Sequence, residues 1–132
     1  MGMSLTKLRY HIAELHGPVS FDEYPAGLAA LDLDLAIAPL EINRFNAAKS
    51  NLRLLEYGAV GYPVICTDIE PYRNAPVTRV PNNPQAWIGA IRAHIHDMDA
   101  TRAAGQQLHD WVLSDWMLDQ HLDEWMKMLL PD

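Results

Sequence analysis

A chain of 132 residues, 49% of them hydrophobic, has the length and apolar content for a single domain with a real core. Ten Lys and Arg against 17 Asp and Glu give a formal charge of −7, which disfavours nonspecific binding to nucleic acid or anionic membranes, so an anion site must be a local positive spot. The one cysteine cannot form an internal disulfide, no apolar stretch reaches the ~20 residues of a bilayer span, and no secretory signal core opens the chain, so a soluble cytoplasmic protein is expected.

In chain order, Leu5, Leu8, Ile12 and Leu15 recur at helical spacing after Ser4 and predict a short amphipathic helix over residues 4–15. A strand over 8–12 is the alternative, because Tyr10 and Ile12 alternate with polar neighbours. His16-Gly17-Pro18 closes the segment either way. After an extended piece at 19–21, Asp22-Glu23 opens a helix over 22–31 carrying Tyr24, Leu28 and Leu31, with Pro25 in the first turn, where N–H groups have no helical partner.

The apolar run 35–40, checked at Pro39, predicts a strand buried on both faces and ending in a loop, and 64–67 has the same character. Between them lies a helical pattern with Leu52, Leu55, Ala59 and Val60 on one side, stopped by Gly61 and Pro63. Such a strand, loop, helix, strand unit predicts parallel strands joined by a right-handed crossover. The loop over 41–49 then opens at the carboxyl edge of the sheet, where ligands of open α/β sheets bind and helix N-termini attract anions.

Beyond Asp68, the segment IEPYRNAP reads as a polar, proline-punctuated loop and 77–80 as a short edge strand. Asn82-Asn83-Pro84 caps a helix over 84–97 with Trp87, Ile88, Ile91 and Ile95 on one face. A helix over 100–113 holds Ala104, Leu108, Trp111 and Val112, and a last one over 115–130 strings Leu118, Leu122, Trp125, Met126 and Leu129 along a stripe. The expected fold class is α/β: residues 1–132 as a single, partial Rossmann-like three-layer domain with a small parallel sheet and C-terminal helices.

The order DLDLAIAPLE, FNAAKSNLRLLEYGAVGYPVI, TDIEPYR resembles the donor-binding domain of nucleotide-sugar-dependent glycosyltransferases of the two-Rossmann-domain (GT-B) group, more narrowly the C-terminal part of the group 1 retaining enzymes. VPNNPQAWIGAIRAHIHD, followed by two helices bearing Trp111, Trp116 and Trp125, is similar to the way those proteins finish. The resemblance covers residues 17–130 and is most specific over 49–63. It implies that Glu56 binds the ribose hydroxyls and that the N–H groups of Lys49, Ser50 and Asn51 hold the diphosphate. It further implies a nucleoside-diphosphate sugar as substrate, retention of configuration, and neither a cofactor nor a bound metal.

Elementary chemistry runs the same way. A carboxylate accepts two vicinal hydroxyls, and a helix N-terminus with a lysine holds a phosphate. Lys49 near a helix start opposes the helix dipole, a mild conflict that an anion relieves. Arg44 and Arg73 flank the loop and could add charge. The family pattern has a second glutamate, for the donor sugar, eight positions before the first; Ala48 stands there, with Glu41 or Asn46 as the substitutes. The family's basic pair would lie upstream of residue 1 and the acceptor domain is missing, so the chain reads as a fragment or a partner-dependent module.

Several features have plainer readings. Glu56 also suits a solvated mid-helix position, and Cys66 suits a small core residue. His94-x-His96 points apart on a helix without a third ligand, so zinc is not expected. Asp32 and Asp34 lie at the amino end of their strand and read as loop and cap residues. The Trp, Met and Leu stripe of the last helix is core or, if left uncovered, a surface for homo-oligomers. Two other functions compete with donor binding: a noncatalytic nucleotide-sugar-binding or protein-interaction module that kept the fold, favoured by Ala48, and a flavodoxin-like regulatory domain phosphorylated at Asp68.

Overall fold

The computed structural model describes residues 13–130. The helix expected over 4–15 falls outside them except for 13–15, which are irregular. The first described helix is α1 (Tyr24–Ala29), with Pro25 in its first turn and Leu28 buried. It ends two residues short of the expected 22–31 at each side, and Asp32 follows with φ +46°.

Three parallel strands form the sheet in the order β1 (Ala36–Ala38), β2 (Val64–Thr67), β3 (Thr78–Val80). Ala36, Ile37 and Ala38 stand beside Val64, Ile65 and Cys66, and Ile65, Cys66 and Thr67 beside Thr78, Arg79 and Val80. The strand–helix–strand reading is therefore right, and the fold is mixed α/β with a small parallel sheet and C-terminal helices. β2 is buried along its whole length, as a central parallel strand should be. β1 is not: Ile37 is 50% exposed, because β1 is an edge strand and the described residues leave one of its faces uncovered.

Between β1 and β2 run a single turn, α2 (Arg44–Ala47), and α3 (Leu52–Ala59). Asn43 caps α2, its side chain accepting the Asn46 N–H, a turn the sequence pattern did not disclose. α3 buries Leu54 and Gly58, while Leu52 and Ala59, expected on the inner face, are exposed. The rotation has a cause in Gly58: without a side chain there, Leu108 and Val112 of α5 (Met98–Asp115) come within 2.9 Å and 2.6 Å of where a Cβ would stand. Gly61, with φ +78°, then turns the chain out of α3.

α4 (Pro84–His96) starts from Asn83, whose side chain accepts the Ala86 N–H. None of its residues is fully buried; Ile88 and Ile95, expected on an inner face, are exposed. The helix expected over 115–130 is split. α5 runs on to Asp115, one turn of 3₁₀ helix covers Leu118–His121, and α6 (Leu122–Leu129) follows. Leu122, Trp125, Met126 and Leu129 are all exposed on α6, so the apolar stripe exists but is not core.

Candidate functional site

The loop between β1 and α3 opens at the carboxyl edge of the sheet. Its floor is set by Leu40, whose N–H donates to the Thr67 hydroxyl at 2.9 Å and whose carbonyl accepts from Asn82 Nδ2 at 3.2 Å. Thr67 is the last residue of β2 and wholly buried. The end of β1, the end of β2 and the segment after β3 are thus tied together where the three strands stop.

Over that floor lie two adjoining hollows of about 260 and 540 Å³. Leu40, Lys49, Arg53 and Tyr72 line both; Ser50, Leu52 and Glu56 belong to the smaller, Ile37, Pro39 and Tyr57 to the larger. The dimensions are those of small-molecule sites, which combine apolar and aromatic walls with a few polar groups. Lys49 Nζ is 4.9 Å from the Phe45 ring centre, which places the ammonium over an aromatic face at the rim.

Glu56 does not stand alone. Its Oε2 accepts from the Arg53 guanidinium at 2.8 Å and from the Tyr24 hydroxyl at 3.2 Å, and the same guanidinium nitrogen donates to the Tyr24 oxygen at 3.0 Å. The guanidinium carbon also lies 5.7 Å from the Tyr57 ring centre. Burial pulls the Arg53 pKa down, but Glu56, Tyr57 and Tyr24 outweigh it and leave it raised. Burial raises the Tyr57 and Tyr72 pKa values, so both walls remain neutral phenols.

Lys49, Ser50 and Glu56 are brought together as the sequence suggests, but other expected residues are not. The Lys49 N–H donates to Asn46 O at 3.3 Å, which removes one of the three amides expected to face a diphosphate, and Asn51 lies outside the lining of either hollow. Arg44 sits in the first turn of α2, also outside the lining. Asn46 is buried and structural: its Nδ2 donates to Glu41 O at 2.8 Å and braces the loop from within. Arg73 pairs with Glu70, and Asp68 lies 4.0 Å from Arg79.

Sequence reasoning missed Arg53, Tyr24, Tyr57 and Tyr72. The three-residue spacing of Arg53 and Glu56 is a helical pairing signal that could have found the first. Nothing local could have found Tyr24, which arrives from α1. No family model, curated protein or solved structure matches the chain.

Away from this edge, His94 ties α4 to β3 and α5. Thr101 Oγ1 donates to the His94 carbonyl at 2.9 Å, so it accepts from the ring Nδ1–H at 2.9 Å, and Nε2 accepts from the Thr78 hydroxyl at 2.8 Å. Burial lowers the His94 pKa, in keeping with a neutral ring. Among the described residues no group of three or more His, Cys, Asp or Glu side chains could hold a metal ion, and no helix is long and apolar enough to cross a membrane.

Proposed function

We propose that the chain binds a nucleoside-diphosphate sugar and forms the donor-binding portion of a GT-B-type glycosyltransferase of the group 1 retaining kind. One observation carries the reading: the hollow at the carboxyl edge combines two cations, Lys49 and Arg53, with aromatic walls from Tyr57 and Tyr72. Cations there suit a diphosphate, and flat apolar walls suit a base. The donor is a substrate, not a cofactor. Transfer would generate negative charge on the departing diphosphate, which preorganised cations stabilise in a site partly withdrawn from water.

On this reading the acceptor is held by a domain or partner chain outside these residues, and the exposed stripe on α6 is the apolar surface such a partner would cover. Calorimetric titration of UDP, GDP and ADP is the test. The expected result is saturable binding with a preference for one base; no binding of any of the three removes the reading.

A second reading keeps the binding and drops the transfer. Ala48, at the end of α2 where the resembled pattern has its sugar-holding glutamate, lies outside the lining of both hollows. A noncatalytic module is therefore expected to bind the nucleoside diphosphate and its sugar-bearing form equally. An enzyme is expected to separate them.

A further inference from the structure

Glu56 lines the smaller hollow, and both described bonds of its carboxylate are at Oε2 and go to protein. Its Oε2 takes the Arg53 and Tyr24 bonds, and the side chain is 23% exposed against 49% for Arg53. A charge-assisted bond is stronger than a neutral hydroxyl bond, so a sugar hydroxyl would not take the guanidinium's place at Oε2. Arg53 is in the opposite position. One of its nitrogens carries both described bonds, to Glu56 and Tyr24, and the fork has three further N–H donors. It lines both hollows beside Lys49.

We propose that Arg53 is the residue that contacts the diphosphate, with Lys49, and that Glu56 and Tyr24 are positioning residues that hold its guanidinium on the hollow. The inference rests on the site binding a phosphorylated ligand and goes beyond it, because it moves Glu56 from the ligand to the arginine. A guanidinium clamped on one edge by a carboxylate and a phenol has lost most of its side-chain freedom before the anion arrives. That preorganisation is what a long, flexible arginine otherwise lacks.

Inorganic pyrophosphate is the deciding probe, since it has no ribose, base or sugar. Titrated into the full chain, Arg53→Gln is expected to bind pyrophosphate about tenfold more weakly than the unmodified protein, as loss of a charge-assisted bond implies. Tyr24→Phe changes no charge. It is expected to weaken pyrophosphate binding by about threefold alone and to have no effect once Arg53 is already Gln, the coupling expected of residues in one network. Glu56→Gln is tested with the tightest of UDP, GDP and ADP and its 2′-deoxy form, and is expected to alter both alike.

Undiminished pyrophosphate binding by Arg53→Gln overturns the inference, as does a Tyr24→Phe effect that persists in the double variant. A Glu56→Gln effect confined to the ribose form returns Glu56 to the sugar and also overturns it. Nucleoside diphosphates that bind when pyrophosphate does not leave the donor site standing and remove the role of Arg53. Failure of pyrophosphate and all three nucleoside diphosphates removes the donor site and this inference together. Arg53 is half exposed, so its variant should keep the fold, which circular dichroism verifies.

Discussion

Replacing single glycines by alanine tests the packing that positions the site, because three helical glycines meet three different surroundings. A Cβ at Gly105 of α5 would run into the Gly61 carbonyl and stand 3.0 Å from Pro63 N and Cδ. Those atoms belong to the turn that leads into β2, and Gly61 holds it at φ +78°. Alanine gains about 1 kcal/mol over glycine in a helix interior, whereas overpacking costs about 1–3 kcal/mol. Main chain cannot rotate away as a side chain can, which puts the cost at the upper end of that range, and Gly105→Ala is expected to lose about 2 kcal/mol net. At Gly58 the closest obstacles are side chains, Val112 Cγ2 at 2.6 Å and Leu108 Cγ at 2.9 Å, with the Leu108 carbonyl oxygen farther off at 3.2 Å, so a loss is expected there too, but a smaller one. Gly89 of α4 has nothing within 4 Å, so its alanine variant should gain about 1 kcal/mol. Urea unfolding of the three variants gives the order directly from the midpoints if the slopes agree. A Gly105→Ala protein as stable as the original would mean that α5 does not cross the Gly61–Pro63 turn as described.

Three further predictions concern single contacts. Thr67→Val keeps the shape of the side chain but leaves the Leu40 N–H without its acceptor, at an expected loss of about 1–3 kcal/mol in urea unfolding, with Thr67→Ser retaining the bond. His94, lowered by burial, stabilises the fold above its ordinary value of 6.5 and progressively less as the pH falls through that value toward the folded-state pKa. The stability difference between the protein and its His94→Gln variant should therefore shrink on acidification below about pH 6.5; a difference that grows would refute the neutral ring. The Cys66 thiol is pushed up to about 12, mainly by burial, so iodoacetamide at pH 8 should modify it only after unfolding, as mass spectrometry would show.

The central unit was legible because β2, the end of α3 and its breakers are written in consecutive residues: four apolar or small positions, then Gly61 and Pro63 at a turn. The phase of α3 was not legible, since the spacing of Leu52, Leu55, Ala59 and Val60 gives one amphipathic face while the real inner face is chosen by the close approach of α5 at Gly58. A glycine contributes nothing to a hydrophobic pattern, yet here it decides which way the helix is turned. The helix expected over 115–130 is present over Leu122–Leu129 and interrupted before it by the 3₁₀ turn at Leu118–His121, and of the two readings of its stripe the exposed one holds. Its stripe is strongly periodic, but periodicity reports what a helix would bury and not whether anything is there to bury it. At the candidate site, the loop between the strands and the family resemblance pointed to Lys49 and Ser50, and the resemblance alone to Glu56, whereas Tyr24 comes from a helix 32 residues away from Glu56 and could be known only from the folded chain.

α1 makes the fold and the site one mechanical system. Tyr62, between the α3 turn and β2, reaches the carbonyl oxygens of Leu28 and Ala29 at 2.8 and 3.0 Å, which fixes the end of α1 against the sheet. The start of the same helix presents Tyr24 to Arg53 and Glu56. The triangle of Tyr24, Arg53 and Glu56 therefore holds its shape only while α1 stays docked. That arrangement also answers the charge question posed by a chain of net −7. Charges farther than about 8 Å are largely screened at physiological salt, so the overall acidity acts weakly on the hollow. The carboxylate that matters is the one inside it, and Glu56 is held 2.8 Å from a guanidinium. With its charge answered locally, Lys49 remains as the excess positive group at the rim, which is what the proposed anion site requires of an acidic protein.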